Sequence, residues 1–184
     1  MAEKDNYSGM VDGINGLIDR QIFANEKIYS NELERVFTRS WLLIGHETQI
    51  PNNGDFISSR MGAESVILCR DSNRKIHVFL NTCTHRGMKV CLYDEGNTAT
   101  FTCPFHAWSF ATDGKLVGVP HEKDLYSKSL DKEKWSLIEV AQMYNYKGSI
   151  WATWDKSAPN FIEYLGGAKD HLDLALDSLD GSEG

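Results

Sequence analysis

Four residues of types that commonly bind metals lie close together between positions 81 and 110. Cys83 and His85 are separated by one residue, Cys103 and His106 by two, and seventeen residues lie between the two pairs. Each pair combines a soft thiolate ligand with an imidazole ligand of intermediate softness. Two thiolates and two imidazoles make a complete ligand set, so the spacing predicts a metal site built from two loops.

A [2Fe–2S] cluster of the Rieske kind matches this ligand set, because one of its irons binds two cysteines and the other binds two histidines. The alternative is a structural zinc site, which uses the same residue types. Zinc fingers pair Cys with Cys and His with His along the chain, whereas each pair here mixes the two types. The mixed pairs therefore favour the cluster over zinc.

The residues next to these ligands form a candidate second shell. Gly87 and Pro104 allow tight backbone turns that aim amide groups at the cluster sulfurs. Trp108 and Phe110 are expected to pack as a dry apolar shell, which tunes the potential of a metal centre. Arg86 is interpreted as a solvated loop residue, and a contact at a docking surface is the alternative.

Similarity to a known family extends well beyond the ligands. Glu32–Ile50 reads ELERVFTRSWLLIGHETQI, the first loop reads LNTCTHRGM, GN and FTC lead to the second loop, and Val119–Tyr126 reads VPHEKDLY. With these motifs, about Ile18 to Asp177 resembles the N-terminal Rieske domain of the large (alpha) terminal-oxygenase subunit of bacterial aromatic ring-hydroxylating dioxygenases, such as naphthalene and biphenyl dioxygenases. Ala107 departs from the glycine of many relatives, and its methyl group is expected to be tolerated.

The resemblance implies an electron-accepting domain that holds one [2Fe–2S] cluster through Cys83, His85, Cys103 and His106. It implies electrons that come from NADH through a reductase and a ferredoxin and reach a mononuclear iron, which cis-dihydroxylates an aromatic hydrocarbon. His106 is the implied electron exit toward a neighbouring alpha subunit, and a beta subunit is expected in the intact enzyme. The mononuclear iron belongs to a C-terminal catalytic domain that we expect to be absent here. No catalytic residue is therefore assigned, and the chain alone is expected not to turn over.

Two other classes of Rieske protein share the ligands. A stand-alone ferredoxin-type carrier is the alternative function, although such carriers are shorter and lack the segment 32–50 and the region past Val119. A respiratory-complex Rieske subunit has a disulfide between its loops and a membrane anchor. The corresponding positions here are Met88 and Phe105, and the apolar runs are too short for an anchor, so that class is rejected.

Composition limits the remaining function classes. The net charge of −7 and the pI near 5.3 argue against binding to nucleic acid or to an anionic membrane. The start MAEKDNYSGM lacks an apolar export signal, so a cytoplasmic protein is expected. In a reducing cytosol, the two remaining cysteines, Cys69 and Cys91, are expected to be inert thiols rather than a disulfide.

The chain before the cysteine loops is predicted to form an arm, a helix and several strands. Residues 1–24 are expected to be a flexible arm, and Asn25 is the predicted N-cap of an amphipathic helix that runs through Arg39. Alternating apolar residues then predict a strand from Phe56 and a hairpin over the turn 71–74, whose strands are Ser65–Arg70 and Lys75–Leu80. His77 in this hairpin is interpreted as a packed or solvent-facing residue, not a ligand.

The rest of the chain completes a predicted α+β fold, mainly antiparallel β. Turns are predicted at 95–97 and 112–114, closing strands at 135–140 and 148–154, and a glycine-interrupted helix from Phe161. We expect one Rieske-type domain at 25–177, with a two-loop cluster-binding subdomain at about 81–119 and flanking helices. Residues 178–184 are expected to be a flexible tail.

Overall fold

The computed structural model describes residues 7–126 and 130–177. The strands in this part of the chain are β1 (Val11–Asp12), β2 (Leu17–Ile18), β3 (Leu42–His46), β4 (Asp55–Met61), β5 (Glu64–Arg70), β6 (Ile76–Leu80), β7 (Glu95–Asn97), β8 (Thr100–Thr102), β9 (Ser109–Ala111), β10 (Leu116–Gly118), β11 (Gln142–Tyr146) and β12 (Ser149–Thr153). The α-helices are α1 (Glu26–Glu32), α2 (Glu122–Leu125), α3 (Phe161–Leu165) and α4 (Ala168–Asp177).

The strands form antiparallel sheets, which confirms the predicted α+β class. A four-stranded sheet has the order β6-β5-β4-β7, and two three-stranded sheets have the orders β11-β12-β3 and β10-β9-β8. The predicted β5–β6 hairpin is present. Asp71 closes its turn by accepting hydrogen bonds from the backbone N–H groups of Asn73 and Lys75, and Arg74 has a positive φ of 67°.

Two apolar cores lie on the two faces of the four-stranded sheet's strands. One core contains Ile67 and Phe79 and extends to Cys83, Cys103 and Phe110 of the small sheet and its loops. The other core contains Val66, Leu68 and Val78 and packs against Ile150 of the three-stranded sheet with β12. Neighbouring residues of one strand belong to different cores because side chains alternate between faces. All four cysteines are buried and free, so Cys69 and Cys91 are core thiols as predicted.

Helix α1 begins at its predicted capping residue. The Asn25 side chain accepts hydrogen bonds from the N–H groups of Lys27 and Ile28 at the start of α1, and a π-helical turn, Leu33–Phe37, follows. Gly166 and Gly167 separate α3 from α4, as the sequence predicted. The predicted tail at 178–184 lies outside the described residues. Within residues 7–126 and 130–177, none of the helices is long and apolar enough to cross a bilayer.

Several predictions of local structure were wrong. Glu95–Asn97 is not a turn but a strand that pairs with β4, since the Asn97 side chain donates to Asp55 Oδ1 and fixes the pairing. The stretch 135–140 is not a strand: a 3-10 helix ends at Trp135, and Glu139 forms an isolated bridge with Phe79. Strand β11 was missed because its sequence, QMYNY, does not alternate clearly.

Part of the segment expected to be a flexible arm has regular structure. Strands β1 and β2 form a small hairpin, and a 3-10 helix, Arg20–Phe23, is capped by the Asp19 side chain. Asp12 holds the hairpin loop by accepting hydrogen bonds from the N–H groups of Ile14 and Asn15. Local side-chain to backbone hydrogen bonds of this kind order a short polar segment without a buried core.

Candidate metal centre

The two cysteine loops are two copies of one turn. Loop one, residues 83–88, follows β6, and loop two, residues 103–108, joins β8 to β9. In each loop the cysteine N–H donates to the carbonyl five residues on, and the N–H four residues on donates back to the cysteine carbonyl. These bonds are Cys83 N to Met88 O (2.8 Å), Gly87 N to Cys83 O (2.8 Å), Cys103 N to Trp108 O (2.8 Å) and Ala107 N to Cys103 O (3.0 Å).

Gly87 and Ala107 occupy equivalent places in the two turns, and both have left-handed backbone conformations. Their φ angles are 74° and 55°. Glycine adopts this conformation without strain, whereas an L-residue loses roughly 1 kcal/mol. Ala107 therefore carries a backbone cost in addition to its methyl group, which the sequence argument did not include.

The two thiols face each other inside the protein. Cys83 and Cys103 are each 2% exposed. Burial raises the pKa of Cys83 and the neighbouring Cys103 thiol raises it further, while the backbone N–H groups of His85 and Arg86 point at the Cys83 sulfur and lower it. Backbone donors around a sulfur favour its thiolate form, but burial is the larger effect here and the net pKa of Cys83 is raised.

The two imidazoles also form a pair. The ring centroids of His85 and His106 are 4.8 Å apart. Burial lowers the pKa of His85, and His106 and Arg86 lower it further, which favours the neutral ring that metal ligation requires. His85 Nδ1 is buried and has no hydrogen-bond partner among the described residues. A buried polar atom without a partner is costly. The Nδ1 atom of His85 is therefore placed as an atom that binds a metal would be.

A family model for the Rieske [2Fe-2S] domain matches residues 40–137 of this sequence. The chain belongs to the Rieske [2Fe–2S] family. That match covers both cysteine loops and the strands from β3 to β10. The cofactor of the family is a [2Fe–2S] cluster with two Cys and two His ligands.

The donor geometry of this Rieske domain fits a two-iron cofactor better than a single ion. Thiol faces thiol and imidazole faces imidazole, so the four donors are arranged as two like pairs. A tetrahedral zinc site needs four donors around one point, whereas a Rieske cluster needs one pair for each iron.

Aromatic rings enclose the histidine pair of the Rieske domain. Trp108 is buried and stacks on His85, with centroids 4.6 Å apart and planes at 8°. Trp135 meets the Trp108 ring edge-on at 5.6 Å. Phe110 is fully buried in the same core as the cysteines. The expected apolar packing around the site is therefore present at both aromatic positions.

Arg86 and Pro104 lie at the exposed tips of the loops. The Arg86 guanidinium carbon is 5.7 Å from the ring centroid of Phe105, a cation–π distance, and Phe105 in turn packs on His106 at 3.9 Å. Pro104 takes the place in loop two that Thr84 has in loop one. Arg86 is exposed, as the interpretation of a loop residue required, but it also contacts the ring of Phe105, which packs on His106.

Sequence reasoning missed two polar residues that fasten loop one. Asn81 is buried, accepts from the N–H groups of Val90 and Cys91, and donates to the Cys91 carbonyl, so it closes the loop's two ends. The Thr84 hydroxyl donates to the Trp135 carbonyl at 2.6 Å. Their only signal was the motif LNTCTH, in which both are polar residues beside an apolar strand.

The remaining histidines are dispersed over the fold. His46 ends β3, His77 lies in β6, His121 precedes α2 and His171 lies in α4. His46 Nδ1 is close to the Thr48 hydroxyl, and His77 lies between two carboxylates. His77 was interpreted as packed or solvent-facing, and its burial shows that it is packed.

Several relatives of this Rieske domain are alpha subunits of aromatic dioxygenases. It is 44% identical over 175 residues to the biphenyl dioxygenase subunit alpha of Metapseudomonas furukawaii, covering 92% of this chain and 38% of that one. It is 48% identical over 162 residues to a benzene 1,2-dioxygenase subunit alpha of Pseudomonas putida, covering 88% and 36%. The chain thus spans little more than a third of the length of these relatives.

A solved structure shares the fold. The naphthalene 1,2-dioxygenase from Rhodococcus sp., bound to indole, superposes with a TM-score of 0.82 and 37% sequence identity. The match covers 86% of this chain and 36% of that one. The predicted resemblance to naphthalene and biphenyl dioxygenases is therefore confirmed.

Proposed function

We propose that Cys83 and Cys103 bind one iron of a Rieske cluster and that His85 and His106 bind the other. The observation that carries this proposal is the arrangement of two like pairs, with His85 Nδ1 buried and unpartnered. Gly87 and Pro104 shape the turns, and Trp108 and Arg86 cover the two histidines. We assign residues 25–177 to the Rieske domain and about 81–119 to its cluster-binding part.

When bound, such a cluster accepts and releases one electron at a time. The chain's own residues set the conditions for that exchange. The loops bury both thiols, two backbone N–H groups offset part of the rise that burial causes in the Cys83 pKa, and the lowered pKa of His85 favours its neutral ring. His106 is partly exposed, so the histidine pair reaches the surface on that side, and we assign His106 as the electron exit.

We further propose that the domain serves a terminal oxygenase for aromatic hydrocarbons in the cytoplasm. A ferredoxin or reductase supplies the electrons, and a mononuclear iron outside these 184 residues receives them for cis-dihydroxylation. Neighbouring alpha subunits and a beta subunit complete the enzyme. The names of the relatives, biphenyl and benzene dioxygenase alpha subunits, support this assignment.

The ligand assignment is tested by removing one thiol at a time. Cys83→Ser or Cys103→Ser is expected to abolish the cluster, because the hydroxyl does not replace a thiolate ligand. Cys91→Ser is the matched control, since Cys91 is an equally buried thiol outside the ligand set. Iron and sulfide analysis with the rhombic EPR signal of the reduced protein measures the outcome.

Two results would overturn the assignment. A Cys83→Ser protein with full iron, full sulfide and an unchanged spectrum would exclude Cys83 as a ligand. A colourless wild-type protein that holds zinc and gives no EPR signal would replace the cluster by a structural zinc site.

His85→Cys or His106→Cys is expected to retain a cluster with an altered spectrum and a lower potential, because a thiolate adds negative charge.

A further inference from the structure

A cluster of one histidine and two carboxylates lies outside the metal centre. His77 in β6 is 4% exposed. Its Nδ1 lies 2.7 Å from Glu139 Oε1 and its Nε2 lies 3.3 Å from Asp71 Oδ2. A ring that carries a proton on both nitrogens can donate to both carboxylates. We call these three side chains the His77 clamp.

The Asp71 side of the clamp is rigid. Asp71 Oδ1 accepts the N–H groups of Asn73 and Lys75, both at 2.8 Å, inside the tight turn of the β5–β6 hairpin. The His77 ring also stacks on Phe79, with centroids 5.3 Å apart and planes at 12°. His77 is thereby fixed on the sheet. The partner that this arrangement holds in place is Glu139, whose side chain is 47% exposed.

Glu139 belongs to the segment 135–140, which runs beside β6 without becoming a regular strand. Backbone hydrogen bonds attach the segment to its surroundings, from Leu80 N to Ile138 O (2.8 Å), from Val140 N to Val78 O (3.0 Å) and from Leu137 N to Gly114 O (2.8 Å). Leu137 N thus bonds the segment to the turn between β9 and β10. The clamp adds a charged side-chain contact at the centre of this irregular attachment.

The same segment begins at Trp135, which supports the His85 side of the metal centre. The Trp135 carbonyl accepts the Thr84 hydroxyl, next to His85 in loop one. The Trp135 ring contacts Trp108, and Trp108 stacks on His85. A continuous series of contacts therefore runs from Glu139, through the segment and Trp135, to the ring of His85.

We propose that His77 and Glu139 are positioning residues for His85. The clamp fixes the segment 135–140, the segment fixes Trp135, and Trp135 holds Trp108 against the imidazole. The inference rests on the proposed function, because its effect falls on the iron assigned to His85 and His106. Contacts around a metal-bound histidine set its orientation, and with burial they tune the reduction potential of the cluster.

The first test replaces one charge of the clamp. Glu139→Gln keeps the shape of the side chain but removes the charge facing His77, and its half-exposed position allows the variant to fold. Glu133→Gln is the matched control, because it removes the same charge from an exposed residue just ahead of the segment. We expect both variants to bind the full amount of iron. Relative to the wild type, the visible circular dichroism and the midpoint potential are expected to shift more in Glu139→Gln than in Glu133→Gln. Equal values in the two variants would overturn the proposal.

The second test asks whether the effect passes through Trp135. In a Trp135→Ala background, Glu139→Gln is expected to shift the midpoint potential less than in the wild type, since the ring contact between Trp135 and Trp108 is gone. Fully additive shifts would show independent sites and overturn the proposal.

A third readout separates this inference from the proposed function. A wild-type chain that binds no cluster would overturn the proposed function. NMR of the indole N–H groups would then test whether the His77 clamp positions Trp135 and Trp108. The Trp108 and Trp135 resonances are expected to move in Glu139→Gln and to stay in place in Glu133→Gln. Trp108 and Trp135 resonances that do not move in Glu139→Gln would overturn the proposed role of the clamp, whether or not the protein binds a cluster.

Discussion

At the residue scale, the reduction potential of the cluster is expected to depend on Trp108 and Phe110, because neither side chain has a hydroxyl group. High-potential Rieske centres are raised partly by hydroxyl groups that bond to the cluster sulfurs, and the resemblance places those hydroxyls at Trp108 and Phe110. Both aromatic residues are buried in the core that contains Cys83 and Cys103. Fewer hydrogen bonds leave the reduced cluster less stabilised.

We therefore expect a midpoint potential near the low end of the Rieske range, about −150 mV. Spectroscopic redox titration of the purified chain measures it, and a midpoint above roughly +100 mV would contradict the argument. Phe110→Tyr is expected to raise the potential, because it places a hydroxyl where the resemblance puts a hydrogen-bond donor to a cluster sulfur. Phe56→Tyr, in that core but on the sheet, is a control that should leave the potential unchanged.

Ala107→Gly is expected to stabilise the protein by about 1 kcal/mol, because glycine removes the left-handed strain at this position. The reverse change at the equivalent position, Gly87→Ala, should destabilise by about the same amount. An added Cβ at Gly87 has no atoms within 4 Å, so the conformation alone is tested. Thermal unfolding of both variants measures the difference, and equal stability of all three proteins would refute the matched-loop argument.

At the element scale, the β5–β6 turn makes stability depend on pH. Burial raises the pKa of Asp71, but the N–H groups of Lys75 and Asn73 and the His77 ring lower it, and the net pKa is below the ordinary 3.8. The folded pKa is thus lower than the unfolded one. The stabilisation is complete above about pH 4 and is lost as the pH falls through the folded pKa.

Asp71→Asn is therefore expected to unfold at lower denaturant concentration near neutral pH and to show a smaller loss of stability on acidification. Urea titrations between pH 7 and pH 3 measure this difference. Asp94→Asn is a control, since Asp94 is an exposed carboxylate and should leave the slope unchanged. A wild-type slope in Asp71→Asn would show that the turn carboxylate does not contribute.

At the scale of the whole molecule, the chain is expected to carry electrons without hydroxylating a substrate. Oxygen activation of this kind needs an iron held by two His and one carboxylate with open positions. Outside the proposed ligands, the four histidines lie in different elements. We expect about two irons per chain, uptake of one electron from a ferredoxin, and no dihydrodiol from biphenyl or benzene.

Iron analysis and product chromatography, with reductase and ferredoxin supplied, check this prediction. Dihydrodiol formed by the 184-residue chain alone would reveal a second iron site in it. Turnover that appears only when the remaining length of a relative's alpha subunit is appended would support the division of roles. A chimera with a substitution of the relative's mononuclear iron ligands is the matched negative control.

Much of the fold was predictable because local signals agreed with it. The Asn25 cap, the hairpin over 71–74 and the glycines at 166 and 167 each act through backbone chemistry within a few residues. The prediction failed at 95–97 and 135–140, where pairing partners lie far along the chain. Asn97 is fixed by Asp55, and Glu139 meets Phe79 and His77, contacts that no local pattern contains.

By itself, the sequence predicted the ligand types and their mixed pairing and indicated the family, because metal chemistry depends on residue type and on spacing within a loop. Only the tertiary structure decided that the two loops are matched turns, that thiol faces thiol, and that His85 Nδ1 is left without a partner. It also joined His77 to Glu139 and Trp135 to Trp108. These contacts depend on how separate strands pack together, and side-chain alternation along one strand does not specify which distant residue it meets.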